Sequence, residues 1–332
     1  MEENHAEPEK KRDRSVNFFL RALITREKSK IKKPVTSSPP FPKDSIGKVI
    51  GEGSESVVRS LGDKHVLKEP NLRALGTDFV NTEEYLRLQQ QDHKILKRIY
   101  GDYLLDTMFT RGHAQDGTPT NYIVQEKKTM DNRLDKFDIA VTENPYDTTT
   151  LSDLAATYGV ATNKLDINKL NLNEEKRAQL QKQAEEMRRQ MLEITGVTRK
   201  LFLEQGTTID LHLGNIIYDE IKHRITLIDP GPVLVIKGIL EHDPRYNLLM
   251  ETAKQKAKEE KTTPEELVKH VLRYFEKKVT EIDKVVLPTL GIITDEQKRE
   301  LDKSLGIDTD KYDQKKKDLH QKVESWTLDS TD

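Results

Sequence analysis

Apolar positions along this chain follow two patterns, and the change falls near residue 128. Between residues 46 and 128 they form short β-rich runs. The first covers residues 49–58, the second ends Val66-Leu67-Lys68 beyond a turn at Gly62-Asp63-Lys64, and the third is residues 121–126. One helix interrupts them at 82–99, where Tyr85, Leu88, Ile95, Leu96 and Ile99 recur at helical period. Residues 129–173 carry the weakest pattern, although 151–160 reads as a short helix stopped by a glycine, with a second small helical piece after it. Beyond them Asn173 predicts the cap of a long helix, because Leu180, Ala184, Met187, Met191 and Ile194 keep the period until Gly206 ends it. Gly196 is expected to bend that helix. Thr263-Pro264-Glu265-Glu266 is a capping box with proline at the first helical position, opening a helix whose stripe is Leu267, Val271, Phe275, Val279 and Ile282. A second box, Thr294 to Gln297, precedes a shorter helix ending near Gly306. These last helices read as packing without chemistry, and the lysine run at 315–317 reads as solvated.

Composition narrows the classes open to the chain. At 332 residues, 34% of them apolar and 34% charged, it can bury a sizeable core and still expose much helix surface. The formal net charge of −2 gives no reason to expect a nucleic-acid partner. No cysteine is present, which excludes disulfides, thiolate metal sites and cysteine nucleophiles. The nine histidines show no metal-ligand spacing, and no apolar run approaches the roughly 20 residues a membrane span needs. A soluble, cytoplasmic protein is the expectation. Residues 1–43 read as a basic, disordered tail with 11 Lys/Arg against 6 Asp/Glu. Within it Val16, Phe19, Leu20 and Leu23 would give a short helix one apolar face, expected to dock on the protein's own body. The segment 151–160 also has the shape of a DNA-reading helix-turn-helix or the helical half of a LysM repeat. No polar recognition helix and no closing strand pair follow it, so a structural role is preferred.

Candidate chemistry begins in the β-rich half. Gly51 and Gly53 bend the first hairpin, and such glycines let backbone N–H groups approach phosphate oxygens without a Cβ in the way. Taken alone the bend is a glycine-containing turn. Lys68 ends an otherwise apolar strand, where an inward ammonium needs an anionic partner or a phosphate. Asp92, near the centre of the next helix's apolar stripe, is the candidate partner, with Glu84 at the stripe's edge as second choice.

The densest signal is Asp210-Leu211-His212-Leu213-Gly214-Asn215-Ile216-Ile217-Tyr218, followed after a polar turn by Ile225-Thr226-Leu227-Ile228-Asp229-Pro230-Gly231. Two apolar strands flank a short turn, and Asp210, Asn215 and Asp229 stand at their outer ends. Three oxygen-bearing side chains so gathered suit a hard dication such as Mg²⁺, with phosphate oxygens and water completing its shell.

The run Asp-Leu-His-x-Gly-Asn-Ile-Ile followed by Ile-Asp-x-Gly resembles the catalytic loop and metal-binding motif of the protein-kinase-like superfamily. Its wording is nearest the aminoglycoside and choline phosphotransferase branch. The glycine hairpin, the strand lysine, the helix with an inward acid and the long helix before the loop fall in the family's order over residues 46–235. The resemblance implies an α+β, two-lobed fold with a small β-rich N-lobe and a larger helical C-lobe. It further implies ATP and Mg²⁺ as cofactors, Asp210 as catalytic base or hydroxyl-positioning residue, and Asn215 and Asp229 as metal ligands. Lys68 would hold the α- and β-phosphates with Asp92 in the place of the usual Glu. Gly51, Gly53, Ser54 and Val58 would roof the nucleotide, Gln125 would stand at the gatekeeper position, and the backbone at Glu126 and Lys128 would meet adenine.

Several departures set this chain apart from regulated protein kinases. Thr208 and Ile209 precede Asp210 where those enzymes have His-Arg, so control by activation-loop phosphorylation is not expected. Pro230 follows the metal-binding Asp and stiffens that segment. Ser56 stands where a third glycine is frequent, and no Ala-Pro-Glu motif follows Gly231. The expected layout is a tail at 1–43, an N-lobe at 44–128, a C-lobe at 129–307 and a polar C-terminal helix or tail at 308–332. The expected activity is ATP- and Mg²⁺-dependent transfer of the γ-phosphate to a small-molecule or protein hydroxyl. A nucleotide-binding pseudokinase and an enzyme transferring AMP are the alternatives.

Overall fold

The computed structural model describes residues 45–52, 56–70, 82–113, 118–143, 151–229, 234–235, 257 and 262–327. The expected tail helix, Gly53, Ser54 and Pro230-Gly231 lie outside the described residues, as do the side chains of Glu84, Leu88 and Val271.

The β-rich half forms one antiparallel sheet of β1 (Ile46–Glu52), β2 (Ser56–Leu61), β3 (His65–Pro70), β4 (Thr107–His113) and β5 (Pro119–Glu126), in the order β1-β2-β3-β5-β4. Gly62 turns β2 into β3 at φ 58°, a conformation that favours glycine. Cross-strand register then decides which residues share a face. Gly51 pairs with Val58, Val58 with Lys68, and Lys68 with Ile123, so these side-chain positions line one row. Gln125, two residues beyond Ile123, is on that same face. The opposite face carries Leu61, Leu67, Tyr122 and Val124, which make a small core of their own.

Between β3 and β4 runs α1 (Glu83–Tyr100), capped by Thr82, whose Oγ1 accepts from Tyr85 N at 3.2 Å. Its buried face is Tyr85, Leu86, Asp92, Leu96 and Tyr100, while Ile95 is 38% exposed. The stripe is thus rotated from the one expected, and Asp92 lies inside it.

The rest of the chain is α2 (Leu134–Glu143), α3 (Asp153–Ala161), α4 (Glu174–Gln205), α5 (Pro264–Glu281), α6 (Asp295–Leu305) and α7 (Thr309–Ser325). Two small ladders join them, β6 (Thr207–Thr208) with β9 (Leu234–Val235) and β7 (Ile216–Asp219) with β8 (Arg224–Leu227). A second, larger core gathers Leu134, Tyr158, Met187, Ile194, Ile209 and Leu287. Among the described residues the sheet keeps a small core of its own, while the larger core also takes in Leu96 and Tyr100 of α1. The architecture is α+β, with a small β-rich lobe and a larger helical one.

Helix ends follow their local sequence closely. Asn173 caps α4 by accepting from Lys176 N at 2.9 Å, and Gly206 closes it at φ 63°. Both predicted capping boxes form, at Thr263 and at Thr294. Gly196 does not interrupt α4. A Cβ there would stand 2.5 Å from Leu305 Cδ1, so the glycine admits α6 to close approach. On α5 the buried stripe is Val268, Leu272, Phe275, Val279 and Ile282, with Leu267 only half-buried. The lysine run at 315–317 is not all solvated either. Lys315 Nζ donates to Leu203 O at 2.6 Å and Lys316 pairs with Asp283, leaving Lys317 exposed.

Candidate active site

The loop after α4 is shaped by alternation. Ile209, Leu211 and Leu213 are buried, so the intervening Asp210 and His212 are turned toward the lobe surface. A 3-10 turn at Leu213–Asn215 then closes the loop. His212 Nδ1 accepts from Gly214 N at 3.1 Å, and Asn215 N donates to His212 O at 2.9 Å. Asn215 Nδ2 donates back to Asp210 O at 3.0 Å, which ties the two ends of the motif together. Gly214 allows a close approach. A Cβ there would fall 3.0 Å from His212 Cε1 and 3.3 Å from Asp135 Oδ2 of α2.

Asp229 reaches the same place along β8, whose Ile225 and Leu227 are fully buried. Ile228 N donates to Asn215 O at 3.0 Å, so the next residue leaves the core beside Asn215 with its side chain 61% exposed. The sheet closes over it from the other lobe. Lys68 Nζ is 4.0 Å from Asp229 Oδ2, and Gln125 Nε2 donates to Ile228 O at 3.2 Å and to Thr107 Oγ1 at 3.0 Å. The face bearing Gly51, Val58, Lys68 and Gln125 is therefore the one turned to Asp229 and the Asp210–Asn215 loop.

Lys68 does not form an ion pair with Asp92. Its carboxylate neighbour is Asp229, while Asp92 is buried in α1 with interactions of its own. Beyond Gln125, β4 no longer pairs with β5, while Glu126 still pairs with His65 of β3. Lys127 N still donates to Lys64 O at 2.8 Å. Lys128 Nζ lies 2.8 Å from Glu126 Oε2 and 2.7 Å from Asp219 Oδ2, a bridge from the sheet to β7. Burial opposes both charges of the Lys128–Asp219 pair. Their mutual attraction wins, so the ammonium is held above the ordinary lysine range and the carboxyl below the usual carboxylate range.

The helices read as packing alone supply a charge that the sequence reading missed. Lys278 of α5 places Nζ 2.9 Å from Asp210 Oδ1, with Glu281 Oε2 also at 2.9 Å and the Tyr274 ring centroid at 5.2 Å. On the same side, His212 Nε2 is 3.9 Å from Asp210 Oδ2. Tyr274, Lys278 and Glu281 lie beside the apolar stripe of α5, and charged positions at a stripe's edge look solvated in sequence.

No group of three or more His, Cys, Asp or Glu among the described residues is placed to hold a metal ion. Asn215 and Asp229 nevertheless fit Mg²⁺, a hard cation that is usually held by one or two protein oxygens plus phosphate and water. The bond from Asn215 Nδ2 to Asp210 O leaves the amide oxygen available as an acceptor.

The order of parts is now complete: an antiparallel sheet with a lysine on its inner face, one helix before β4, a chain crossing to a helical lobe, a long helix, the Asp210–Asn215 loop and Asp229 on the strand behind it. This is the order that the resemblance of the sequence to the protein-kinase-like superfamily implies. No family profile and no curated protein matches the chain. Among solved structures, the GDP and kanamycin complex of APH(2")-IIia is similar over 92% of this chain and 98% of its own, at 11% identity and a TM-score of 0.28. ADP-bound aminoglycoside phosphotransferase APH(2'')-Ib is similar over 85% of this chain and 95% of its own, at 12% identity and a TM-score of 0.24. The streptomycin-ATP-APH(2")-IIa ternary complex covers 94% of this chain and 99% of its own, at 11% identity and a TM-score of 0.21.

Proposed function

We propose that this protein is a cytoplasmic, ATP- and Mg²⁺-dependent phosphotransferase, an atypical kinase that moves the γ-phosphate of ATP to a hydroxyl of a small molecule or protein. The observation that carries the reading is the approach of Lys68 from the sheet to within 4.0 Å of Asp229, beside the loop that bears Asp210 and Asn215. A cation, a carboxylate, an amide and a second carboxylate drawn from two lobes form the minimum set for phosphoryl transfer.

Each residue has a distinct task in this reading. Lys68 draws the α- and β-phosphates to the inner face of the sheet, in the row that carries Gly51 and Val58. Gln125 is held rigid by its two hydrogen bonds and bounds the back of the base site, with the backbone at Glu126 and Lys128 meeting adenine. Asn215 and Asp229 would hold Mg²⁺, which when bound supplies positive charge to the phosphate oxygens. Asp210 accepts the acceptor's hydroxyl proton as that oxygen bonds to the γ-phosphorus. The bond from phosphorus to the β-bridging oxygen breaks, and ADP leaves.

Incubation of the purified protein with γ-labelled ATP and Mg²⁺, against separate protein and metabolite fractions, tests the reading. Label should appear in one fraction, and Asp229→Ala should lose Mg²⁺-dependent nucleotide binding and transfer while remaining folded. Binding of Mg²⁺-ATP without any transfer would replace this reading with a pseudokinase, and a product heavier by AMP would make it an adenylyl transferase. Full activity in Asp229→Ala would remove the site assignment.

A further inference from the structure

We propose that Lys278 is the positioning residue of Asp210, a role that α5 supplies from outside the catalytic loop. The inference rests on the phosphotransferase reading and adds to it a residue that the motif does not contain.

The contact is built from several sides. Lys278 Nζ lies between two carboxylates at 2.9 Å each, Asp210 Oδ1 and Glu281 Oε2, and above the Tyr274 ring. An ammonium has three donors and no acceptor, so two anions and a π face leave it little freedom. Its helix is equally fixed, because Val268, Leu272, Phe275 and Val279 on the adjoining face of α5 are fully buried. Only 11% of the Lys278 side chain is exposed. Burial alone would push its pKa down, yet Asp210, Tyr274 and Glu281 more than offset that and raise it, so the group stays charged.

A carboxylate that must meet an acceptor hydroxyl needs one oxygen held and the other presented. Lys278 holds Oδ1, which is buried and has no aligned hydrogen bond, so the pairing is chiefly one of charge. Oδ2 lies toward His212, whose side chain is 44% exposed, on the open side of the loop. Asn215 fixes the backbone of Asp210 and Lys278 fixes its head group. Glu281 in turn keeps Lys278 from swinging away.

Five proteins measured in the labelled-ATP assay test this: wild type, Lys278→Met, Lys278→Arg, Asp210→Asn, and Lys278→Met combined with Asp210→Asn. Misplacing a catalytic group by about 1 Å costs on the order of 10²-fold in rate, and that loss in kcat is expected for Lys278→Met with the KM for ATP unchanged. Lys278→Arg keeps the charge and should recover part of kcat, whereas a merely structural lysine would give both variants the same kcat. Since Lys278 acts through Asp210, the combined variant should be no slower than Asp210→Asn alone. An unimpaired Lys278→Met, a matching rise in KM, equal kcat in the Met and Arg variants, or additive losses would overturn the inference while an active wild type upheld the phosphotransferase reading. A wild type that transfers nothing would overturn that reading itself, and this inference with it.

Discussion

Glu281 and Asp283 are two residues apart, yet they close two different charge clusters. Glu281 joins Lys278 and Asp210, whose side chains are 23%, 11% and 19% exposed, at the open junction of the lobes. Asp283 joins Arg199, Asp302 and Lys316 in a cluster sealed among α4, α6 and α7, where Arg199 and Asp302 are essentially inaccessible. Two steps along a helix turn the side chain by about 200°, so neighbours in sequence serve opposite faces. The chain also changes winding here, as residues Ile282–Val286 form a π-turn. Pro288 follows two residues later and has no N–H to give to a preceding carbonyl. The sealed cluster is stacked as well as paired, with the Arg199 guanidinium 4.0 Å from the Tyr312 ring centroid. Openness separates a cluster that can meet a substrate from one that only locks helices together.

Breaking the sealed cluster should give the largest effect on stability. Arg199→Met leaves Asp302 and Asp283 as buried carboxylates with no guanidinium, and removal of one partner from a buried pair costs about 3–5 kcal/mol. Urea denaturation should register that loss, and an unchanged midpoint would show that the cluster contributes nothing. The open cluster should respond in the opposite way. Asp210→Asn is expected to lower kcat by about 10²–10⁴-fold, equivalent to roughly 3–5 kcal/mol of transition-state stabilisation, with ATP affinity and denaturation midpoint nearly unchanged. Parallel losses of binding and rate would instead give Asp210 a structural role.

A smaller effect sharpens the same contrast without touching a charge. Gly196→Ala places a methyl group 2.5 Å from Leu305 Cδ1, one turn from Arg199. Overpacking costs about 1–3 kcal/mol, and the better helix propensity returns up to about 1, so a net loss near 1 kcal/mol is expected on denaturation. A net gain would mean that the α4–α6 contact yields easily.

The smallest effect belongs to a pair of intermediate burial, Lys128–Asp219, at the crossing between the lobes. The folded-state carboxyl of Asp219 lies below its ordinary value of 3.8. Its contribution is therefore present above that pH and lost as pH falls through the depressed folded value. Lys128, raised above 10.5, contributes below that pH and loses its share as pH rises through the raised folded value. Asp219→Asn should destabilise by about 1–2 kcal/mol at neutral pH and flatten the acid limb of the wild-type stability curve. An acid limb of the same depth in the variant would assign it to other carboxylates.

Much of the secondary structure was legible because it is decided locally. Thr263 and Thr294 form their capping boxes, Asn173 and Gly206 bound α4, and the alternation around Asp210 presents it at the surface. α2 escaped, since Ile139 and Ala140 blur the period set by its buried Leu134, Phe137 and Val141 in a ten-residue segment. Asp92 was correctly placed on a buried helix face, but not what it pairs with. A stripe fixes orientation about one helix axis and leaves the distance to another element open.

By itself, the sequence determined the order of a β-rich half and a helical half, the loop that brings Asp210 beside Asn215, and the strand that delivers Asp229, because each follows from periodicity and capping within a few residues. Tertiary structure alone decided which charges meet. Lys68 faces Asp229 instead of Asp92, Lys316 is drawn to Asp283, and Lys278 reaches Asp210 across 68 positions of chain. The physical reason is that an ion pair depends on distance in space and on the removal of water, and both are set by how the helices pack.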